Sequence, residues 1–180
     1  MKKIILLTGN ELRHMYFYKL LSNDPRFKVI KIICEGNQKT LERIVFDNPY
    51  ASEIEKNHVI DRHKSEKDYF FSYVDENDSE FKPILINKGD INHFEIVDSI
   101  IRSKPDLLVC YGSSLIRSSL LNDFKDHFLN IHLGLSPYYR GSGTNIWPLI
   151  NNEPEFVGAT FMHMDYGIDT GRIIHQIRAK

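Results

Sequence analysis

Three polar side chains in the C-terminal third of this 180-residue chain have types and spacing suited to acid–base chemistry. Asn130 and His132 lie two residues apart at the end of the apolar run HFLNIH, and Asp169 follows in the glycine-flanked segment MDYGIDTG. Histidine is the usual general acid or base near neutral pH, and an amide can donate to a developing oxyanion. A carboxylate can orient and charge an imidazole. If the three converge, they suit acyl transfer to an amine.

Simpler roles for the same residues stay open at this point. An Asn or His at a strand end often caps backbone groups, and an Asp in the sequence Asp-Thr-Gly is typical of a turn. Spacing alone therefore predicts an α/β domain without fixing its site.

The elements that must position these residues are short apolar runs alternating with amphipathic segments. The order KIILLTG, ELRHMYFYKLLSN, FKVIKIICEG reads as strand, helix, strand, and is typical of a doubly wound parallel sheet. Further strands are predicted at PILIN, PDLLVCYG, HFLNIH, FVGATFMHMD and RIIHQIRAK, and helices with loops between residues 37 and 79.

Two shorter helices are predicted later in the chain. INHFEIVDSIIRSK is amphipathic, with Asp90 as its N-cap and Phe94 on its apolar side, and GTNIWPLINN is predicted helical up to Trp147. Ligands of open α/β sheets bind outside the carboxyl ends of the strands. Segments predicted at that edge are Thr8-Gly9-Asn10, Cys110-Tyr111-Gly112-Ser113, Asn130-Ile131-His132 and the turn after Met164.

Composition excludes several classes of protein. Apolar residues make up 42% and charged residues 26% of the chain, as in globular proteins, and the net charge of −1 offers no global attraction for nucleic acid. Cys34 and Cys110 end apolar runs and are expected to be buried thiols rather than a disulfide or metal pair. There is no apolar stretch of about twenty residues and no signal-peptide pattern. We therefore expect a single domain over residues 1–180 in the cytoplasm.

The segments NIHLGLSPYYRG and GATFMHMDYGIDTGRII resemble the folate-dependent formyltransferase family. The similarity lies in an Asn-x-His followed by a Pro-containing turn ending in Gly, then an Asp on a Gly-flanked loop about forty residues later. It is close from about Asp106 to Gln176. The resemblance implies a Rossmann-like, formyltransferase-type sheet, mostly parallel with an antiparallel C-terminal strand. It also implies a catalytic domain lacking a C-terminal region, and it is compatible with a homodimer.

The resemblance makes Asn130, His132 and Asp169 the catalytic residues for moving a formyl group from 10-formyltetrahydrofolate to a primary amine, with no metal. Asn130 and His132 would stabilise the oxyanion, and Asp169 would keep His132 charged. The co-substrate pocket it implies comprises Tyr111, Gly112, Ser113, Leu115, Ile116, Asp165, Tyr166 and Gly167.

The acceptor amine is expected to belong to an amino-sugar nucleotide or a similar small molecule. Glu11 stands where purine-pathway members of the family carry a phosphate-binding glycine loop, and the chain offers no basic region for tRNA. Acceptor-side candidates are Asn10, Tyr138, Arg140, Thr144, Asn145 and Trp147.

Four other functions remain as alternatives. They are formylation of methionyl-tRNA or of glycinamide ribonucleotide, hydrolysis of formyltetrahydrofolate, and binding of a folate or nucleotide sugar without turnover.

Overall fold

A seven-stranded sheet organises the chain, whose computed structural model describes residues 1–36, 41–117 and 119–179. The strand order is β3-β2-β1-β4-β5-β6-β7. The first five strands are parallel, β6 is antiparallel to β5, and β7 is antiparallel to β6. The strands are β1 (Lys2–Thr8), β2 (Phe27–Glu35), β3 (Ile84–Ile86), β4 (Leu107–Tyr111), β5 (Phe128–His132), β6 (Gly158–His163) and β7 (Ile173–Arg178).

Helices cover both faces of this sheet. One face of the sheet packs against the first helix through Ile4, Leu6 and Val29. The other face packs against the fourth and fifth helices through residues that include Ile5 and Leu7. The helices are α1 (Leu12–Ser22), α2 (Leu41–Phe46), α3 (Glu53–Glu76), α4 (Phe94–Arg102), α5 (Leu120–Asp123) and α6 (Trp147–Ile150). Two 3-10 turns span Asp90–Asn92 and Pro154–Phe156.

The chain reverses its direction of travel across the sheet between β1 and β4. From β1 it builds outward through β2 and β3, and it then returns to add β4 on the other side of β1. The central strand β1 is buried from Ile4 to Thr8, as its uninterrupted apolar sequence requires. The predicted doubly wound, mostly parallel sheet with an antiparallel strand near the C-terminus is therefore confirmed, and β1 and β4 form its switch point.

The helices predicted between residues 37 and 79 are present as α2 and α3, while residues 37–40 lie outside the described part. The two predicted thiols are buried and unbridged, and burial raises the pKa of Cys34 to about 11. In the part of the chain that the structure describes, no helix has the length and apolar character needed to cross a membrane.

Asp90 does not cap α4, contrary to the prediction. Its carboxylate accepts from the backbone amide of Asn87 at 3.0 Å and so closes a local turn after β3. His93 is the N-cap residue of α4 instead, and Phe94, predicted on the apolar side, is 75% exposed. The Asp90 carboxylate is therefore used in this local turn and does not cap α4.

The helix predicted to end at Trp147 begins there instead. α6 spans Trp147–Ile150, with Pro148 in its first turn. Proline is favoured at this point because its fixed φ suits a helix and its missing amide hydrogen would have no intrahelical acceptor. The prediction was wrong because it took Pro148 as a helix breaker.

Candidate active site

The carboxyl end of β5 presents Asn130 and His132 on one face of the sheet. Side chains alternate along a strand, so these two share a face with Phe128, which packs in the core beneath α4 and α5. β4 flanks β5 on one side and β6 on the other, and Thr160 of β6 pairs with His132. The predicted same-face placement of the two side chains is therefore present.

Asp169 lies between these two side chains and contacts both. Asn130 Nδ2 donates to Asp169 Oδ1 at 2.9 Å, and His132 Nδ1 lies 3.2 Å from Asp169 Oδ2. The amide of Gly141 also donates to Oδ2 at 2.9 Å. The side chain of His132 is only 6% exposed and that of Asp169 13%, so bulk water screens these contacts weakly.

The backbone of Asp169 takes an uncommon conformation, with φ +51°. Aspartate tolerates the left-handed region better than most residues, and the hydroxyl of Ser136 donates to the Asp169 carbonyl at 3.2 Å. Non-glycine residues persist in this region where their surroundings hold them, and they cluster at functional sites. The local backbone is thus shaped to aim the carboxylate at Asn130 and His132.

The second ring nitrogen of His132 also faces an acceptor. Nε2 lies 3.0 Å from the carbonyl oxygen of Tyr139. Both ring nitrogens of His132 therefore face acceptor oxygens. Gly134 makes room for this ring, because a Cβ added there would come within 2.6 Å of Nε2. Sequence reasoning missed Tyr139 here because its backbone, rather than its ring, makes the contact.

The turn after Met164 was predicted at the carboxyl edge of the parallel strands, but it begins at the opposite, amino edge. β6 runs opposite to β5, so the amide of Met164 donates to the carbonyl of Phe128, at the amino end of β5. The loop of residues 164–172 then folds back across the sheet and brings Asp169 to Asn130. Its return path explains how one hairpin loop starts at one edge and functions near the other.

Three of the predicted pocket residues define that loop. The carboxylate of Asp165 accepts from the amide of Gly167 at 3.0 Å and from the hydroxyl of Thr170 at 2.7 Å. The Tyr166 hydroxyl donates to Asn122 at 2.8 Å, which ties the loop to α5. Asp165 therefore shapes the loop, and the exposed ring of Tyr166 stands beside α5.

Tyr111 does not direct its ring toward Asn130 and His132. Its ring packs against His14 and Phe17 of α1, with centroids 4.8 Å and 5.4 Å away. The physical reason is strand alternation, since Cys110 points to the α4 side and its successor must point to the other. The ring of Tyr111 therefore lies on the α1 side of the sheet, and the part that Tyr111 plays in the co-substrate pocket stays a prediction.

The segment of residues 112–117 after β4 keeps the other predicted pocket residues on the same side as Asn130. Ile116 is buried in the core under α4, Leu115 is half exposed, and Ser113 bonds to Cys110. Among the described residues, the backbone amides of Leu115 and Ile116 have no hydrogen-bond partner. A flat heterocycle read along one edge by main-chain groups fits such a segment.

Three of the predicted acceptor-side residues are exposed near Asp169. Tyr138 is 62% and Trp147 53% exposed, and Arg140 is exposed directly before Gly141, whose amide contacts Asp169. The Tyr138 ring packs on Phe156 with centroids 4.5 Å apart. These three side chains are therefore exposed enough to contact a ligand.

Thr144 and Asn145 serve the loop itself. Thr144 is 5% exposed and its hydroxyl donates to the carbonyl of Leu133. Asn145 Oδ1 accepts from the amide of Gly158 at 2.9 Å, which joins the loop to the start of β6. The Thr144 hydroxyl and Asn145 Oδ1 are engaged in these backbone contacts, and acceptor binding by either residue stays a prediction.

A second buried histidine lies at the switch point, and sequence reasoning did not single it out. His14 is 4% exposed and sits between Gly9 and Gly112, where an added Cβ would approach its ring to 2.7 Å and 2.3 Å. Burial, then the charges of Arg13 and Arg62, lower its pKa from 6.5 to about 3. The predicted acceptor residue Asn10 lines an adjacent cavity of about 180 Å³ between α1 and α3.

Comparisons with known proteins agree on the class of this chain. Its sequence matches the formyl transferase family over residues 2–180. It is 44% identical over 81 residues to methionyl-tRNA formyltransferase of Geobacter sulfurreducens, which covers 44% of this chain and 25% of that protein. It is 34% identical over 122 residues to the bifunctional polymyxin resistance protein ArnA of Wigglesworthia glossinidia brevipalpis, covering 67% and 18%.

Solved structures share the fold at low sequence identity. Phosphoribosylglycinamide formyltransferase from Anaplasma phagocytophilum superposes with a TM-score of 0.62 at 13% identity, covering 97% of this chain and 70% of that one. A formyltetrahydrofolate deformylase from Pseudomonas syringae gives 0.61 at 14%, covering 98% and 50%. The aligned segments span about a quarter of the methionyl-tRNA formyltransferases that the chain matches. Over residues 2–180, the chain belongs to the formyl transferase family.

Proposed function

We propose that residues 1–180 are a catalytic domain that transfers a formyl group from 10-formyltetrahydrofolate to the primary amine of a small acceptor. The observation that carries this proposal is the Asp169 carboxylate, which contacts Asn130 and His132 at once. A strand cap or a plain turn needs no such convergence of an amide, an imidazole and an acid from segments 39 residues apart.

The three side chains have distinct tasks in this proposal. Asn130 has a second amide hydrogen beyond the one given to Asp169, and it donates to the formyl oxygen as negative charge develops there. His132, held between Asp169 and the Tyr139 carbonyl, supplies positive charge beside that oxygen. Asp169 orients both donors and accepts the proton that the attacking amine loses.

The reaction conserves atoms without a further reagent. The acceptor nitrogen forms a bond to the formyl carbon, and the bond from that carbon to N10 of the folate breaks. The proton released by the amine ends on N10. The co-substrate supplies the activated formyl group, and the segment of residues 112–117 holds its flat ring.

An amino-sugar nucleotide or a similar small amine is the acceptor class that we propose. Support comes from the exposed rings of Tyr138 and Trp147 and from the exposed Arg140, which directly precedes Gly141, whose amide contacts Asp169. Aromatic rings stack on a nucleobase or sugar, and a guanidinium can pair with a diphosphate.

Methionyl-tRNA is the second candidate acceptor, since several methionyl-tRNA formyltransferases are 34–44% identical to this chain over 81 to 98 residues. A net charge of −1 over the 180 residues weighs against tRNA binding by this domain alone.

A direct assay separates these functions. The protein is incubated with 10-formyltetrahydrofolate and either amino-sugar nucleotides, glycinamide ribonucleotide or methionyl-tRNA, and folate absorbance and product mass are followed. A formylated sugar nucleotide is the expected product. Formate without a formylated amine would indicate hydrolysis, and folate binding without consumption would indicate a binding module. Either result would contradict the proposal.

A further inference from the structure

Glu35, at the carboxyl end of β2, is a buried acid that the proposed chemistry does not use. The residue is 3% exposed, and among the described residues no cation lies within ion-pair distance of its carboxylate. A buried carboxylate is costly unless donors satisfy it. The hydrogen-bond partners of Glu35 therefore indicate the role of its side chain.

Both partners of Glu35 are backbone amides from loops at the carboxyl edge of the sheet. The Ser114 amide donates to Oε2 at 2.6 Å, and the Gly89 amide donates to Oε1 at 2.7 Å. Ser114 lies within the segment of residues 112–117, and Gly89 precedes the 3-10 turn Asp90–Asn92. One carboxylate thus fastens two loops that follow different strands.

Asn92, in that 3-10 turn, fastens the far end of the same segment. Its Nδ2 donates to the carbonyl of Leu115 at 2.9 Å, and its Oδ1 accepts from the amide of Arg117 at 2.6 Å. A side-chain amide that bonds two backbone groups two residues apart replaces the partners that a strand or helix would supply.

The segment between these anchors is irregular, so its shape depends on them. Glu35 and Asn92 together bond Ser114, Leu115 and Arg117 from the side of β2 and β3. The amides of Leu115 and Ile116 have no partner among the residues that the structure describes. Holding one side of the segment fixes the direction in which its free amides point. Preorganised donors raise affinity because the ordering is complete before the ligand arrives.

We propose that Glu35 and Asn92 are positioning residues that set the shape of the folate-binding segment, an inference that rests on the proposed function. They act through Ser114, Leu115 and Arg117 without touching the co-substrate. Their loss weakens binding of the folate and leaves the contacts among Asn130, His132 and Asp169 intact.

Two variants test this at opposite ends of the segment. In Glu35→Gln, the amide NH₂ group faces one of the two backbone donors, so one hydrogen bond is lost with little change in shape. In Asn92→Asp, the contact to Arg117 is kept, but a carboxylate oxygen opposes the Leu115 carbonyl. Asp106→Asn is the control, since Asp106 also accepts from a backbone amide, that of Lys3 at 2.7 Å, at the start of β1.

The main readout is calorimetric binding of tetrahydrofolate, which requires no knowledge of the acceptor. Each variant is expected to raise Kd about tenfold, in line with the loss of one hydrogen bond of a charged or buried group. KM for 10-formyltetrahydrofolate rises in parallel while kcat changes less than about threefold, and Asp106→Asn changes neither. Unchanged Kd in both variants, or an equal change in the control, would overturn the proposal.

Amide hydrogen exchange of the ligand-free protein gives a second, independent readout. Exchange at Ser114 is expected to accelerate in Glu35→Gln, and exchange at Arg117 in Asn92→Asp. Failure of the wild-type protein to bind tetrahydrofolate would refute the proposed function, whereas normal exchange in both variants would refute the positioning role of Glu35 and Asn92.

Discussion

Two histidines lie at the carboxyl edge of this sheet with nearly equal burial and opposite surroundings. His132 at the end of β5 is 6% exposed, and His14 at the start of α1 is 4% exposed. The ring of His132 meets the Asp169 carboxylate and the Tyr139 carbonyl. The ring of His14 meets the backbone amide of Glu11, which donates to Nδ1 at 3.0 Å, and the charges of Arg13 and Arg62.

These surroundings present groups of different polarity to two rings of similar exposure. Both nitrogens of His132 face acceptors. By contrast, burial and then the charges of Arg13 and Arg62 lower the pKa of His14, whose Nδ1 accepts from the Glu11 amide. Burial at a strand end thus does not identify a catalytic histidine. The groups that face the ring are more informative. They make His132 the candidate for charge stabilisation and His14 a packing residue.

Asp169→Asn should have the largest effect, because it removes the charge that distinguishes the surroundings of His132. Asparagine tolerates the left-handed backbone of residue 169, so the loop keeps its shape. We expect kcat for formyl transfer to fall by at least about 10²–10³, the usual loss for one such group, with the Kd for tetrahydrofolate within a few-fold. Steady-state kinetics and calorimetry measure both.

Asp24→Asn serves as the control for this change. Asp24 pairs with Arg26 on the turn between α1 and β2, and its loss should leave kcat unchanged. Near-normal transfer by Asp169→Asn would remove Asp169 from the catalytic residues and would leave His132 no different in role from His14.

Two glycine substitutions sharpen the same comparison, because each glycine leaves space for one of the rings. A Cβ at Gly134 would lie 2.6 Å from Nε2 of His132, and we expect Gly134→Ala to lower kcat at least about tenfold by displacing that ring. A Cβ at Gly112, where φ is +77°, would lie 2.3 Å from Nε2 of His14. Gly112→Ala should lower the free energy of unfolding by about 2 kcal/mol or more and, because Gly112 begins the proposed folate segment, raise KM for the folate, while kcat changes little.

Urea unfolding and turnover, measured on both variants, separate the two roles. If Gly112→Ala lost more activity than stability while Gly134→Ala did the reverse, the assignment of the two histidines would have to be exchanged.

The pH dependence of stability tests the other member of the comparison, His14. Its pKa is about 3 in the folded chain and 6.5 in the unfolded one. Between these values only the unfolded state binds the proton, so stability falls as pH drops from 6.5 toward 3. One proton corresponds to about 1.4 kcal/mol per pH unit. His14→Gln should reduce the slope of unfolding free energy against pH by that amount, as measured by denaturant unfolding at several pH values.

An unchanged slope in His14→Gln would mean that His14 is protonated in the folded protein. Burial and the neighbouring guanidiniums would then not lower the pKa of His14, and its surroundings would differ less from those of His132.

Patterns within a single segment predicted most of the fold. Apolar runs of strand length marked every strand, and the doubly wound sheet and the family are confirmed. The predicted N-cap at Asp90 and the predicted helix end at Trp147 were wrong. An Asx turn at Asp90 and a proline in the first turn of α6 set these helix boundaries locally. The direction of the Tyr111 ring could have been predicted, since side chains alternate along β4 and Cys110 points to the α4 side.

Roles that depend on distant segments could not be predicted in this way. The pKa of His14 is lowered first by burial between Gly9 and Gly112 at the switch point, and then by Arg13 and by Arg62, which comes from another helix. Glu35 carries no local signal, since its partners Ser114 and Gly89 follow other strands. The roles of Asn130, His132 and Asp169 stay predictions whose geometry is now specified.

The return path of the loop of residues 164–172 has a consequence for how the protein is made. Asp169 lies 39 residues after Asn130, so at a translation rate of 5–20 residues per second it is added about 2–8 s later. During that interval the five parallel strands are already synthesised, while Asn130 and His132 have no acid to contact. The site can therefore assemble only after the five parallel strands have been synthesised, and a ribosome that stalls before Asp169 leaves a nascent sheet without a complete site.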